Sequence, residues 1–173
     1  MMADATSSGA VPDHDPLRRN AARLAAVQAL YQIEATDNSP DQVIKDFLIG
    51  RTGGFGVTEN ENAQESIVHL PEIDSELFIN IVRTVQNRGD DVDGMIKNSV
   101  SAEWPWERLE MTLRAILRAG IAELLERTDI PPGATIAEFV DVSHAFYDGP
   151  EPRMVNAILD KVARALGRLE ARK

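Results

Sequence analysis

An all-α fold of about seven helices is what this sequence predicts, and three observations predict it. Apolar residues recur at helical spacing in several separate segments. The most regular is Glu107 to Arg127, where Leu109, Leu113, Ile116, Leu117, Gly120 and Leu124 form one stripe. No segment alternates apolar and polar residues convincingly enough to read as a strand. Cap residues, prolines and glycines punctuate the chain between periodic segments of ordinary helix length. With 43% hydrophobic residues in 173, the chain can bury one domain, or two small subdomains sharing a core.

Met1 to Pro16 has no apolar period and reads as a disordered tail. Asp15 and Pro16 suit a helix start, as cap and first-turn residue. The first helix then runs over Leu17 to about Ala35, with Leu24, Val27 and Tyr31, and Leu30 and Ile33, at helical spacing. Its alanines (Ala21, Ala22, Ala25, Ala26, Ala29) keep it thin enough for close packing. Thr36 to Pro40 is a turn, and Asp41 to Ile49 a second helix with Val43, Ile44, Phe47 and Leu48 facing inward. Gly50 to Leu70 reads as a flexible insertion. Its glycines make no phosphate loop, because no Gly-Lys-Ser/Thr follows and no apolar strand precedes.

Asp74-Ser75 opens a third helix to about Asn87, broken by Arg88-Gly89-Asp90, and a shorter fourth covers Val92 to about Val100. Asp91-Val92-Asp93-Gly94 lacks the ligand spacing and terminal Glu of a calcium loop. Trp104-Pro105-Trp106 marks a boundary before the fifth helix. In that helix Gly120 costs about 1 kcal/mol against Ala, so a close crossing is expected there. Glu110 with Arg114, and Glu123 with Arg127, read as surface pairs four apart. The sixth helix is expected from about Thr135 to Phe146, and the seventh from Pro152 to about Leu169. The organisation is a tail (1–16), an N-terminal helical subdomain (17–103) carrying the 50–70 insertion, and a C-terminal helical subdomain (104–173).

Composition narrows function. There is no cysteine, so disulfides, thiolate catalysis and Cys-ligated zinc are excluded. No apolar run reaches membrane-span length, and the N-terminus has no signal-peptide pattern, so a cytoplasmic protein is expected. The three histidines have no partner at ligand spacing, and no serine sits in a nucleophile elbow. No catalytic constellation appears; neither an enzyme nor a cofactor or metal is expected.

The net charge of −10 argues against a general nucleic-acid coat. The charge is uneven, however. Residues 36–103 hold 13 acidic and five basic side chains, while 151–173 hold six basic and three acidic. Arg18, Arg19 and Arg23 add a small basic face near the start, and Arg153, Lys161, Arg164 and Arg168 another near the end. If the ends meet, they make one basic patch on an acidic protein. Charge alone supports a merely solvated surface equally well.

Several blocks together go further. Arg18 to Gln32 (RRNAARLAAVQALYQ), Leu113 to Asp129 (LRAILRAGIAELLERTD), Ile130-Pro131-Pro132, Ala137 to Val140, Ala145-Phe146, Asp148-Gly149 and Val155 to Lys161 resemble, in order, the NusB family of bacterial transcription antitermination factors. Each block is weak alone; the set is specific. The resemblance implies an all-helical, non-catalytic protein in two packed subdomains. It implies binding to single-stranded boxA RNA from the leaders of ribosomal RNA operons, as a heterodimer with the small-subunit ribosomal protein NusE, in an RNA polymerase antitermination complex. By the same resemblance Arg19 and Arg23, with Arg18 beside them, match an arginine-rich RNA-binding motif. Arg114 and Arg118 match basic positions near the RNA path. Met154 and Asn156 lie in a block that usually reads Phe-Val-Asn-Gly, and Met154 stands where an aromatic could stack on a base. Tyr31 matches a position at the ribosomal-protein interface. Val27, Leu30, Ile116, Leu117 and Leu159 read as core. Two other functions are weighed: a helical protein–protein adaptor without RNA binding, and the RNA-guiding domain of a ribosomal RNA methyltransferase, for whose catalytic domain this chain has no room.

Overall fold

The computed structural model describes residues 16–50 and 72–170, together with two strands within the segment between them. The N-terminal tail up to Asp15, including the expected cap Asp15 itself, lies outside the described residues. Seven helices follow in order: α1 (Pro16–Ala35), α2 (Pro40–Leu48), α3 (Ser75–Asn87), α4 (Gly89–Lys97), α5 (Met111–Glu126), α6 (Pro132–His144) and α7 (Glu151–Ala165).

The helical class is as expected, with one correction. Between α2 and α3 lies an antiparallel hairpin, β1 (Phe55–Glu59) and β2 (Glu65–His69), with Val57 opposite Ile67. Phe, Val, Thr and Ile favour strands, but five-residue runs beside glycines and acids are too short to show a period. The other residues of the expected 50–70 insertion, except Gly50, lie outside the described residues.

Local chemistry sets the helix ends. Ser39 caps α2, its hydroxyl accepting from the Gln42 amide at 3.1 Å, with Pro40 at the first position. Asp74 caps α3 by accepting from the Leu77 amide at 3.0 Å, and its own amide donates to the Arg18 carbonyl at 3.1 Å. That second bond ties the start of α3 to the first turn of α1. Helix α4 begins at Gly89, three residues before its expected start, because Asp90 and Asp91 favour the positive end of a helix. Helix α5 begins at Met111. Residues Trp106–Arg108 form a separate 3-10 turn, closed by Leu109 in an extended conformation. Gly167, at φ +71°, ends α7 early: the Arg168 amide donates to the Ala163 carbonyl and the Gly167 amide to that of Arg164.

Helix α5 is the axis of the molecule, packing against α1, α3, α4, α6 and α7. One continuous core surrounds it and includes Val27, Leu30, Ile116, Leu117 and Leu159. Leu48, expected inside, is 40% exposed at the end of α2. Gly120 does mark a close crossing. A methyl group there would stand 2.9 Å from both Leu159 terminal carbons and 3.4 Å from Phe139.

Candidate nucleic-acid interface

Helices α1 and α5 lie side by side, and arginines meet acids at both ends of the pair. At one end, Arg23 turns inward. It donates through Nε to Glu123 at 2.8 Å and through Nη2 to the other oxygen of Glu123 at 2.7 Å. Thr135 of α6 donates to Glu123 at 2.9 Å, and Arg23 reaches Asn20 at 3.1 Å. The Arg23 side chain is 4% exposed and that of Glu123 0%. An arginine sealed this way cannot touch RNA, so the expectation that Arg23 contributes to a basic surface is corrected. Its geometry instead joins α1, α5 and α6. The expected surface pair of Glu123 and Arg127 is corrected with it: Arg127 turns to Asp129, whose carboxyl its hydrogen bonds hold down at about 2.

At the other end, Glu34 accepts from Arg114 at 3.2 Å and also pairs with Arg118. Arg118 in addition grips Asp93 of α4 with two hydrogen bonds of 2.7 and 3.0 Å. Burial works to lower the Arg118 pKa, but the hydrogen bonds and charges of Asp93 and Glu34 outweigh it, and the net shift is upward. Arg114 donates through Nε to the Leu109 carbonyl at 2.9 Å, not to Glu110 as expected; Glu110 accepts from the Tyr147 hydroxyl at 3.1 Å. The Arg114 and Arg118 guanidinium groups and the Lys97 ammonium stand 4.9, 5.6 and 4.9 Å from the centre of the Trp106 ring. This corner is partly open: the Arg114 side chain is 24% exposed, and Lys97 lies at the surface.

The remaining site residues divide by position. Arg18 and Arg19 are half-buried on the first turns of α1. Tyr31 is 42% exposed near the other end of that helix. On α7, Arg153, Asn156 and Lys161 face solvent, and Arg164 is paired with Asp160 at 2.9 Å. Met154 is 8% exposed and belongs to the core, so the expectation that Met154 contacts RNA is corrected. Arg168, counted in the basic end of the chain, instead donates to the carbonyls of Leu124 and Ile130, each at 2.8 Å, closing the end of α5.

Between α1 and α6 lies an apolar groove of about 380 Å³, walled by Leu17, Ala21, Leu24, Ile73, Val142 and Ala145. No group of residues able to hold a metal ion occurs among the described residues, and no described helix is long and apolar enough to cross a membrane. Sequence reasoning missed Lys97, Trp106, Glu34 and Asp93 as neighbours of Arg114 and Arg118. Only their positions on different elements brings them together, and nothing in local spacing signals it.

A family model described as the NusB family matches residues 20–164. The chain is 48% identical over 156 residues to the transcription antitermination protein NusB of Rhodospirillum rubrum, a match covering 86% of this chain and 84% of that one. It is 41% identical over 149 residues to the protein of the same name from Granulibacter bethesdensis, covering 86% and 88%. Among solved structures, NusB of T. maritima superposes with a TM-score of 0.64 at 25% identity, covering 84% of this chain and 90% of that one. A chain in the crystal structure of antitermination factors NusB and NusE with double-stranded RNA superposes with a TM-score of 0.63, covering 84% and 96%. At 23% identity that likeness bears on fold alone.

Proposed function

The chain belongs to the NusB family, and from that membership we propose that it is a transcription antitermination factor. In this reading it binds single-stranded boxA RNA of ribosomal RNA operon leaders jointly with the small-subunit ribosomal protein NusE, within an RNA polymerase antitermination complex. It acts by binding, in the cytoplasm, and not by catalysis. The observation that carries the reading is the family match over residues 20–164, which takes in α5 whole and α1 from Asn20 onward.

The cationic residues proposed for RNA fall at separate places, including the start of α1 and the far end of the α1–α5 pair beside Trp106. Arg18 and Arg19 at the start of α1, Arg114 and Arg118 beside Trp106, and Arg153, Asn156 and Lys161 on α7 are the contacts proposed for RNA; Arg23 and Met154 are dropped because they are buried. A single strand needs only a few phosphate contacts and some stacking, which suits a protein of net charge −10. Tyr31, exposed at the end of α1, is proposed for the NusE interface, where an acidic body complements a basic ribosomal protein.

A mobility-shift assay with boxA RNA, with and without NusE, tests this. Binding that is strengthened by NusE and weakens steeply with salt is expected. Changing both Arg18 and Arg19 to Glu should abolish it at unchanged helix content; RNA affinity equal to that of the unaltered chain would remove both residues from the interface. Tyr31→Asp should weaken the NusE complex selectively.

A further inference from the structure

Trp106 stands half-buried in the short turn that leads into α5, with cations arriving from two helices. The two arginines do not depend on its ring for their positions. Arg114 is held by the Leu109 carbonyl and Glu34, and Arg118 by Asp93 and Glu34. Lys97 differs: it lies at the surface near the end of α4, on a flexible stem, with its ammonium 4.9 Å from the ring centre. The acids also limit what the arginines can offer a ligand, because much of their hydrogen-bonding capacity is engaged. What this corner adds is a half-buried aromatic ring and a movable positive charge at the surface.

That combination suits a single-stranded nucleic acid. Aromatic rings among cations bind bases with little regard to sequence, because every base has a π-face. Magnitudes decide between the occupants of the ring. A solvent-exposed lysine over an aromatic ring is worth roughly 2- to 5-fold in an equilibrium. A base stacked on an aromatic side chain is worth roughly 5- to 150-fold. The base therefore wins the ring, and the displaced ammonium stays within reach of the nucleotide's phosphate.

We propose that Trp106 is a stacking platform for one unpaired base of the bound RNA, with Lys97 swinging from the ring to the adjoining phosphate; this rests on the RNA-binding reading above. The chain has two tryptophans, so a Trp104→Phe variant leaves Trp106 as the sole emitter. Titrating that variant with a short boxA RNA, in the presence of NusE, should quench its fluorescence with the same midpoint as the mobility shift. Trp106→Leu, which keeps apolar bulk and loses the π-face, should lower RNA affinity roughly 5- to 150-fold without changing the slope of affinity against salt. Trp106→Phe should restore most of the loss, and Lys97→Ala should reduce the salt slope by about one. Full RNA affinity in a folded Trp106→Leu protein, or binding without quenching, overturns the proposal. Weakened NusE binding with RNA contacts intact overturns it too, and makes this corner a protein interface. If the unaltered chain with NusE binds no RNA at all, the RNA reading falls, and the platform with it.

Discussion

The two ends of the α1–α5 pair use the same chemistry for different ends. At one, Arg23 and Glu123 are sealed from water, with Thr135 completing the acceptor's needs. At the other, Arg114 and Arg118 share Glu34 at the edge of solvent, beside an aromatic ring. Arg23 and Arg118 each make a bidentate contact with a carboxylate, yet one is a structural joint and the other borders a surface. Residue type and motif do not separate them; the depth at which each helix face lies does.

The largest test of this contrast is Arg23→Ala, which leaves Glu123 charged in the core. It should cost about 3–5 kcal/mol in denaturant unfolding, while replacing Arg23 and Glu123 together by leucines should recover most of that. The molecules that remain folded should bind RNA as before; a specific loss of RNA affinity without loss of stability would reverse the assignment of the two ends. Arg118→Ala should do the opposite. Its pairs are partly exposed, so unfolding should shift by only about 1 kcal/mol, whereas RNA affinity should fall.

Smaller effects mark the gradient from core to surface. Burial, and then the hydrogen bond to Glu110, push the Tyr147 hydroxyl up to about 12. A raised value means that the fold favours the neutral phenol. Its contribution is complete below the ordinary tyrosine value near 10 and is lost as pH rises through about 12. Absorbance titration of a Tyr31→Phe variant should show that late ionisation, and Glu110→Gln should bring it earlier. The smallest change belongs to Asp129, 58% exposed beside Arg127. Its carboxyl, held at about 2, stabilises the fold above the ordinary aspartate range, and that contribution fades as pH falls toward 2. Asp129→Asn should change stability at neutral pH by less than about 1 kcal/mol.

Much of the fold was legible because its signals are local. The stripe from Leu113 to Leu124, the cap at Asp74 and the crossing at Gly120 follow from spacing and single residues, whereas Leu109, expected in that helix, stands extended before it. The hairpin was not legible, since five-residue strands leave too short a period to distinguish from a loop. Arg23 was misread because an arginine on a helix looks the same in sequence whether or not a glutamate 100 positions away waits for it. Met154 was misread for a related reason: its block pointed to RNA, while its side chain follows the inward stripe of α7. The corner at Trp106 joins residues from α1, α4, α5 and the turn before α5, a juxtaposition that only the tertiary structure supplies.

The span of the Arg23–Glu123 bond also bears on how the chain is made. Helix α1 leaves the ribosome with a charged group meant for the interior, and its counter-ion is synthesised 100 residues later. Arg23 can be buried with its charge matched only once α5 has been made. The bond is thus a long-range contact, and forming it carries a loop-closure cost that the local contacts within each helix do not.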